Sequence, residues 1–284
     1  MTDKIIALVD GSIYSASVCE HAAWIAGRTG AGVELIHVLG RREAPEKHDL
    51  SGSIRLGART RLLEELSELD EQRAKLVRAR GRAILEDARA IVDGAGVDEI
   101  TTRLRHGDIV ETVGEVETEA RALVVGKRGE AADFAKGHLG SNLERIVRAA
   151  HRPVVVASRA FAPVERVLVA YDGGVSAMKA VDHIARSPLF AGLSIKVVTV
   201  GADTAAARKG LADAKAVLDA AGLAAETELV PGQPEKELGE IVEREGVGMV
   251  VMGAYGHSRI RSLIIGSTTT EMVRSCKVPV VLMR

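Results

Sequence analysis

The chain has 284 residues, of which 46% are apolar but only 2% are aromatic, and its formal net charge is −1. A nearly neutral chain offers no overall attraction for nucleic acid or an anionic lipid surface, so neither is expected as a partner. No apolar run approaches the roughly 20 residues that span a bilayer, and Met1–Lys4 leads directly into a strand-like segment with no room for a signal peptide. We therefore expect a cytoplasmic protein without a membrane span, whose core consists of valine, isoleucine, leucine and alanine.

Along the whole chain, apolar runs of strand length alternate with segments of helical period, the pattern of βαβ units in a parallel sheet. The pattern predicts an α/β fold with two tandem doubly wound domains, 1–160 and 161–284, each an open five-stranded parallel sheet with helices on both faces. In the first half, strands are predicted near Ile5–Val9, Val33–Val38, Glu99–Leu104, Ala122–Gly126 and Pro153–Ala157. In the second half, they are predicted near Val167–Tyr171, Ser194–Val200, Glu226–Val230, Gly248–Gly253 and Val278–Met283, with a helix at Pro234–Glu245.

The two halves are copies of one domain with one difference in length. In each half an aspartate ends the first strand, and a glycine motif follows 116 positions after Asp10 but only 81 positions after Asp172. The first half therefore carries 35 extra residues, an insertion at about 41–80 that contains a predicted amphipathic helix near Leu62–Leu69. This segment either extends a helix along the domain or forms an arm that docks a partner.

Glycine motifs follow the fourth predicted strand of each half. Gly253 and Gly256 are followed after nine residues by Gly266-Ser267-Thr268, which opens a predicted helix that continues through Arg274. Such glycines allow close approach of the backbone, and a helix start with open amides favours an anion. The pattern therefore indicates either a phosphate site or simple tight turns between strand and helix, and the aspartates either contact the ligand or cap the following helices.

At these residues the chain resembles nucleotide-binding universal stress proteins, whose motif is Gly, two residues, Gly, nine residues, Gly-Ser/Thr. The resemblance covers the whole chain as a tandem of two such domains, and it implies an adenine nucleotide, ATP, as ligand. In the second domain it implies a binding role for Asp172 at the adenosine, Val200 at the base, and Gly253, Gly256, His257, Arg259, Gly266, Ser267, Thr268 and Thr269 around the phosphates. In the first domain the matching positions are Asp10, Val38, Gly126, Gly129, Gly140, Ser141 and Asn142.

The first half departs from this motif. Ten residues instead of nine separate Gly129 from Gly140, and Glu130 stands where the second half has His257. A carboxylate facing a phosphate is unfavourable, and Lys127 and Arg128 are the neighbouring cations that could offset it. The second domain is thus predicted to be the better nucleotide site, while the first binds weakly, binds something else such as an apolar or lipid-like ligand, or is empty.

Three functions are compatible with these residues. The first is a stress-response protein that binds ATP as a regulator without turnover, because the sequence offers no catalytic residues, no phosphate-loop lysine and no carboxylate pair for a metal; Mg²⁺ could accompany ATP at Asp172 through water. The second is an enzyme with slow ATPase or adenylyl-transfer activity. The third is a dimerisation or docking module with a vestigial pocket, in which Pro153–Ala157 and Pro279–Met283 pair antiparallel and two chains form a homodimer of four domains.

The chain also contains two cysteines. Cys19 and Cys276 lie at non-matching points of the two halves. In a chain without a secretion signal, such cysteines are expected to be buried apolar groups rather than a disulfide or a metal pair.

Overall fold

The computed structural model describes residues 4–40, 56–129, 140–254 and 266–284, and it contains two domains of the same βα order. The first domain consists of β1 (Lys4–Leu8), α1 (Ser15–Thr29), β2 (Gly32–Leu39), α2 (Leu56–Gly94), β3 (Ile100–His106), α3 (Ile109–Val116), β4 (Ala120–Gly126), α4 (Ser141–Ala149) and β5 (Val154–Ala157). The second consists of β6 (Arg166–Ala170), α5 (Val175–Arg186), β7 (Ser194–Val200), α6 (Ala205–Ala220), β8 (Ala225–Val230), α7 (Pro234–Arg244), β9 (Met249–Gly253), α8 (Ser267–Ser275) and β10 (Val280–Met283). All ten predicted strands are present.

The two five-stranded halves join into one ten-stranded sheet. Its order is β3-β2-β1-β4-β5-β10-β9-β6-β7-β8, and every neighbouring pair is parallel except β5 and β10. That antiparallel pair aligns Val155 with Val281 at the centre of the molecule. The predicted pairing of the last strands within one chain is therefore confirmed, and it satisfies two sheet edges that would otherwise be open.

Two apolar layers cover the sheet, one on each face. Successive residues of a strand point to opposite faces, so Ile5 and Ala7 belong to one layer while Ile6 and Leu8 belong to the other. Helices α1, α2, α5 and α6 pack on the first layer, and α3, α4, α7 and α8 pack on the second. Both layers run through both domains, because β5 and β10 make the sheet continuous.

The insertion of the first domain is helical. Helix α2 is longer than the predicted helix at Leu62–Leu69, and its last turns pack on the sheet through Leu85, Ala88 and Val92. The predicted polar loop Arg41–Asp49 lies outside the described residues. Leu69 and Leu76, which are one heptad apart on α2, are largely exposed. The second domain has a short helix, α6, at the corresponding place in the chain order.

The join between the domains is held by packing as well as by the sheet. The Phe161 ring lies edge-on to His21, with ring centroids 5.0 Å apart, and is tilted against Trp24. Arg28, in the last turn of α1, donates hydrogen bonds to the Leu189 and Ala191 carbonyl groups of the second domain. Within the described ranges, no helix is both long and apolar enough to cross a bilayer.

Candidate functional site

Each domain has a crevice at the carboxyl ends of its strands, where the order of the strands reverses. In the second domain β6 lies between β9 and β7, and in the first β1 lies between β4 and β2. Ala170 aligns with Met252 of β9 and with Val198 of β7, so Asp172, Val200 and Ala254 lie at one level. Ligands of open α/β sheets bind at such a reversal point. The register thus brings the predicted residues of three strands to one edge.

The two aspartates make local turns rather than helix caps. Asp172 is exposed, and its carboxylate accepts a hydrogen bond of 2.8 Å from the amide of Gly174, the residue that precedes α5. Asp10 accepts one of 3.0 Å from the Ser12 amide, two residues before the N-cap of α1. Because a capping side chain bonds an amide inside the first turn, neither aspartate caps its helix. The side chains are held in place but remain at the crevice.

A hydrogen bond from the neighbouring strand fixes the residue before each aspartate. His37 Nδ1 of β2 donates to the Val9 carbonyl at 2.8 Å, and Thr199 Oγ1 of β7 donates to the Tyr171 carbonyl at 2.8 Å. His37 and Thr199 each lie 27 residues after the aspartate of their domain. This pair is not among the residues predicted from the sequence, although two side chains that can donate a hydrogen bond stand at the same spacing after the two aspartates.

Helix α8 presents an open amino-terminal turn to the second crevice. Its N-cap is Gly266, which makes no side-chain capping bond, and its first turn holds no acidic residue. The Gly266 amide donates to the Ala254 carbonyl, at 3.3 Å, and the Thr270 amide donates to the Gly266 carbonyl. The amides of Ser267, Thr268 and Thr269 have no partner within the described residues, as is usual in a first helical turn. Such a turn attracts an anion.

Two of the predicted phosphate-site residues have packing roles. A Cβ on Gly253 would lie 2.9 Å from the Ser176 Cβ and 3.1 Å from the Ala177 amide nitrogen, so glycine is needed here for α5 to approach β9. Thr269 is buried, and its hydroxyl donates to the Gly253 carbonyl at 3.2 Å. Both residues therefore position α8 and α5 around the crevice, and Ser267 and Thr268 are the more accessible hydroxyls.

Within the described residues, the turn after the first strand is more closely packed in the first domain than in the second. A Cβ on Gly129 would lie 2.9 Å from Asp10 Oδ2, and a Cβ on Gly11 would lie 2.9 Å from Ile84 Cδ1 of the long helix α2. At Gly173, the residue that matches Gly11, no atom of the described part of the chain lies within 4 Å of a Cβ built there. The first turn of α4 also carries the carboxylate of Glu144. Among the described residues, a carboxylate thus lies in the first turn of α4, whereas none lies in the first turn of α8.

The remaining predicted site residues lie at strand ends, near the start of α4 or outside the described residues. Val38 and Val200 are half-buried at the ends of β2 and β7, at the level of the aspartates. Gly126 packs against Tyr14, and Gly140 precedes α4 with its amide 3.4 Å from the Lys127 carbonyl. Helix α4 begins with Ser141 and Asn142. Three predicted residues, Gly256, His257 and Arg259, lie outside the described residues.

The two cysteines are free and buried, as predicted. Burial, reinforced by nearby Glu20, raises the pKa of the Cys19 thiol to about 12. Burial also raises the pKa of Cys276, against the opposing influence of hydrogen bonds to its sulfur and of Lys127. Neither thiol is therefore ionised near neutral pH.

Comparison with known proteins identifies the family. The sequence model of the universal stress protein family matches twice, over residues 1–158 and over residues 163–284. The chain belongs to the universal stress protein family. The two matches agree with the tandem arrangement seen in the fold.

Relatives of this tandem universal stress protein match it over all or part of its length. Universal stress protein Slr1230 of Synechocystis sp. is 36% identical over 99% of this chain and 99% of its own. Universal stress protein Rv1996 of Mycobacterium tuberculosis is 30% identical, over 64% of this chain and 59% of its own. The crystal structure of a universal stress protein from Archaeoglobus fulgidus DSM 4304 superposes with a TM-score of 0.72, at 21% identity, over 100% of this chain and 99% of that one. That likeness shows the α/β fold with two tandem domains.

Proposed function

We propose that the chain is a stress-response protein that binds ATP in the crevice of its second domain. This proposal rests on the start of α8, near the reversal point of the sheet. Three amides of its first turn have no partner among the described residues, and that turn carries no carboxylate. A phosphate chain satisfies such amides and is stabilised by the helix dipole. Membership of the universal stress protein family supports the stress-response role.

In this proposal the adenine nucleotide lies along the crevice. Ser267 and Thr268 would contact the phosphates together with the amides of α8. Asp172 is exposed one strand away and would accept hydrogen bonds from ribose hydroxyls, while half-buried Val200 offers an apolar contact and backbone groups to the base. ATP thus supplies the negative charge and the planar base, and the protein supplies binding and orientation.

A matched pair of variants tests the site. Gly266 has φ −59° and ψ 147°, and Gly140 has φ −58° and ψ 129°, conformations that valine adopts without strain. We expect Gly266→Val to weaken ATP binding at least about ten-fold, a loss of ~1.4 kcal/mol, because its branched side chain covers the open turn. Gly140→Val is expected to leave the affinity within about two-fold, since the first crevice contributes little.

The measurement is calorimetric titration of the full chain with ATP, with circular dichroism to verify the fold of each variant. Equal affinities of Gly266→Val and the unmodified chain would remove the second-domain site. A stronger effect of Gly140→Val would move the site to the first domain.

We further propose that bound ATP acts as a regulatory ligand and is not turned over. Among the described residues, no group of three or more histidine, cysteine, aspartate or glutamate side chains could hold a metal ion together. The open amides of α8 bind charge without supplying a nucleophile or a general base. Incubation of the protein with labelled ATP should leave the nucleotide intact over hours, and many turnovers per minute would favour the ATPase alternative.

We also propose that two chains associate into a particle of four domains. The exposed Leu69 and Leu76 on α2 support this proposal, because apolar side chains one heptad apart suit contact with another helix. Sedimentation velocity should show a mass of two chains. A single-chain mass of 30.1 kDa at all concentrations would contradict the proposal.

A further inference from the structure

A cavity of about 270 Å³ lies between the two domains, away from the second-domain crevice. The first domain contributes Tyr14, Lys127, Arg128 and Arg159, and the second contributes the segment from Arg274 to Lys277, where α8 leads into β10. The antiparallel pairing of β5 with β10 brings these segments together, because it sets the carboxyl end of β5 beside the start of β10. Five of the side chains that line the cavity are basic.

Lys127 lines this cavity and is only 8% exposed. Its ammonium donates a hydrogen bond to the Cys276 carbonyl, and no carboxylate pairs with it among the described residues. Burial lowers the pKa of Lys127; nearby Cys276 opposes this effect and Arg128 adds to it. A buried ammonium without a counter-ion is costly, so an anion that entered the cavity would relieve the cost.

The charge around Lys127 is only partly compensated. Arg274 pairs with Glu271 at 2.7 Å, and Lys277 pairs with Glu243 at 2.9 Å. Arg128 and Arg159 have no ion-pair partner within the described ranges. Five basic side chains thus line the cavity, and the ion pairs of the described residues place carboxylates beside two of them. A concave surface concentrates the positive potential of such side chains.

The fold itself does not require a lysine at this position. Lys127 follows Gly126 directly, and the matching residue after Gly253 is Ala254, which is 1% exposed. The same backbone thus buries a methyl group in one domain and an ammonium group in the other. Packing explains the alanine but not the lysine.

We propose that this cavity between the domains binds a compact, multiply charged phosphate anion. Lys127 would meet one phosphate group, and Arg128 and Arg159 would meet the others, since guanidinium groups pair well with phosphate oxygens. Its volume is below the roughly 300–1,000 Å³ of pockets for drug-sized ligands, which favours a short phosphate chain over a whole nucleotide. The chain is either free polyphosphate or the tail of a nucleotide whose base lies elsewhere.

The test is calorimetric titration of the full chain with inorganic tripolyphosphate at low ionic strength. It is performed in the Gly266→Val background, so that the open turn of α8 does not compete. We expect one site per chain, with an affinity that falls as salt is added. Absence of binding in this background would overturn the proposal.

Three further variants in that background assign the site. Lys127→Ala introduces the residue that the second domain already has, and Arg159→Ser changes an exposed side chain, so both should fold. We expect at least about ten-fold weaker binding for the first and about three-fold for the second, while Lys236→Ala, an exposed cation on α7, has no effect. Equal binding by all three variants and their parent would refute the assignment.

ATP and adenosine distinguish the two sources of the phosphate chain. If Gly266→Val still binds ATP weakly, and this binding is lost when Lys127→Ala is added, the cavity takes the tail of a nucleotide. If only tripolyphosphate binds in the Gly266→Val background, the cavity takes the free anion. Either outcome supports a phosphate site between the domains. This result does not depend on the proposed ATP site in the second domain. That site is tested separately, by comparing the ATP affinity of Gly266→Val with that of the unmodified chain.

Discussion

At the carboxyl edge of the sheet, the two domains present the same turn in different surroundings. In the first domain the turn after β1 packs under Ile84 of the long helix α2, and Asp10 lies against Gly129. In the second domain the turn after β6 leaves Asp172 exposed. Within the described residues, the same backbone turn is therefore covered in one domain and exposed in the other, and the side chain that covers it belongs to the long helix α2.

Buried positions give the most severe test of whether the two domains act as one body. Ile6 and Leu168 are fully buried at matching places in β1 and β6, and both belong to an apolar layer shared by the domains. We expect Ile6→Ala and Leu168→Ala each to lower the free energy of unfolding by about 2–5 kcal/mol. Denaturation followed by the fluorescence of Trp24, the single tryptophan of the chain, reports on the first domain.

If the sheet unfolds as one unit, Leu168→Ala shifts the Trp24 transition even though it lies in the other domain. Circular dichroism should then give the same midpoint as the fluorescence. If Leu168→Ala leaves the transition followed by Trp24 unchanged, the two domains unfold separately.

A charge cluster between neighbouring strands has opposite sign in the two domains. Glu34 of β2, only 2% exposed, lies 2.7 Å from Arg103 and 3.7 Å from Lys4. At the matching place of β7, Lys196 is 19% exposed and lies 2.8 Å from Glu228 and 2.7 Å from Glu245. Both positions are 24 residues after the aspartate of their domain.

Removal of the central charge should cost more in the first domain than in the second. We expect Glu34→Ala to lower the free energy of unfolding by about 3 kcal/mol, because it leaves cations beside a buried site. Lys196→Ala is expected to cost about 1 kcal/mol, since water reaches this cluster. Chemical denaturation of both variants measures the difference, and equal costs would show that burial does not separate the two clusters.

The matched histidines should give the smallest effect, visible as a pH dependence. Burial lowers the pKa of His21 and of His183, which are both 11 residues after the aspartate of their domain. The unfolded chain therefore binds protons that the folded chain does not. This contribution to stability is present above the unfolded pKa of 6.5 and is lost as the pH falls toward the folded values.

We expect the free energy of unfolding to decrease between about pH 7.5 and about pH 5.5, and the decrease to be smaller in His21→Leu and in His183→Leu. It should be smallest in the double variant, while His106→Gln, at an exposed position, serves as the control. An unchanged slope in the double variant would contradict a neutral state for both rings.

Much of the fold could be predicted because local signals repeat. Strand-length apolar runs separated by helical segments occur twice in the same order, and the ends of Ser194–Val200 and the start of Pro234–Arg244 agree with the prediction. Helix α8 begins at Ser267, as the Gly-Ser-Thr pattern indicated. Helix α2 extends well beyond the predicted Leu62–Leu69, and its last turns are fixed by packing on the sheet rather than by a local pattern.

The candidate site was predictable only in part. The sequence alone determined the repeated domain, the glycine motifs and the aspartates, because turns and amphipathic periods depend on nearby residues. Only the tertiary structure decided that Gly253 serves packing, that Ile84 of α2 covers the turn after β1, and that Lys127 is buried against Cys276. Those facts depend on residues that are far apart in the chain, and no local pattern encodes such contacts. The contact of Lys127 with Cys276 also requires that β5 pairs with β10, which brings the two domains together.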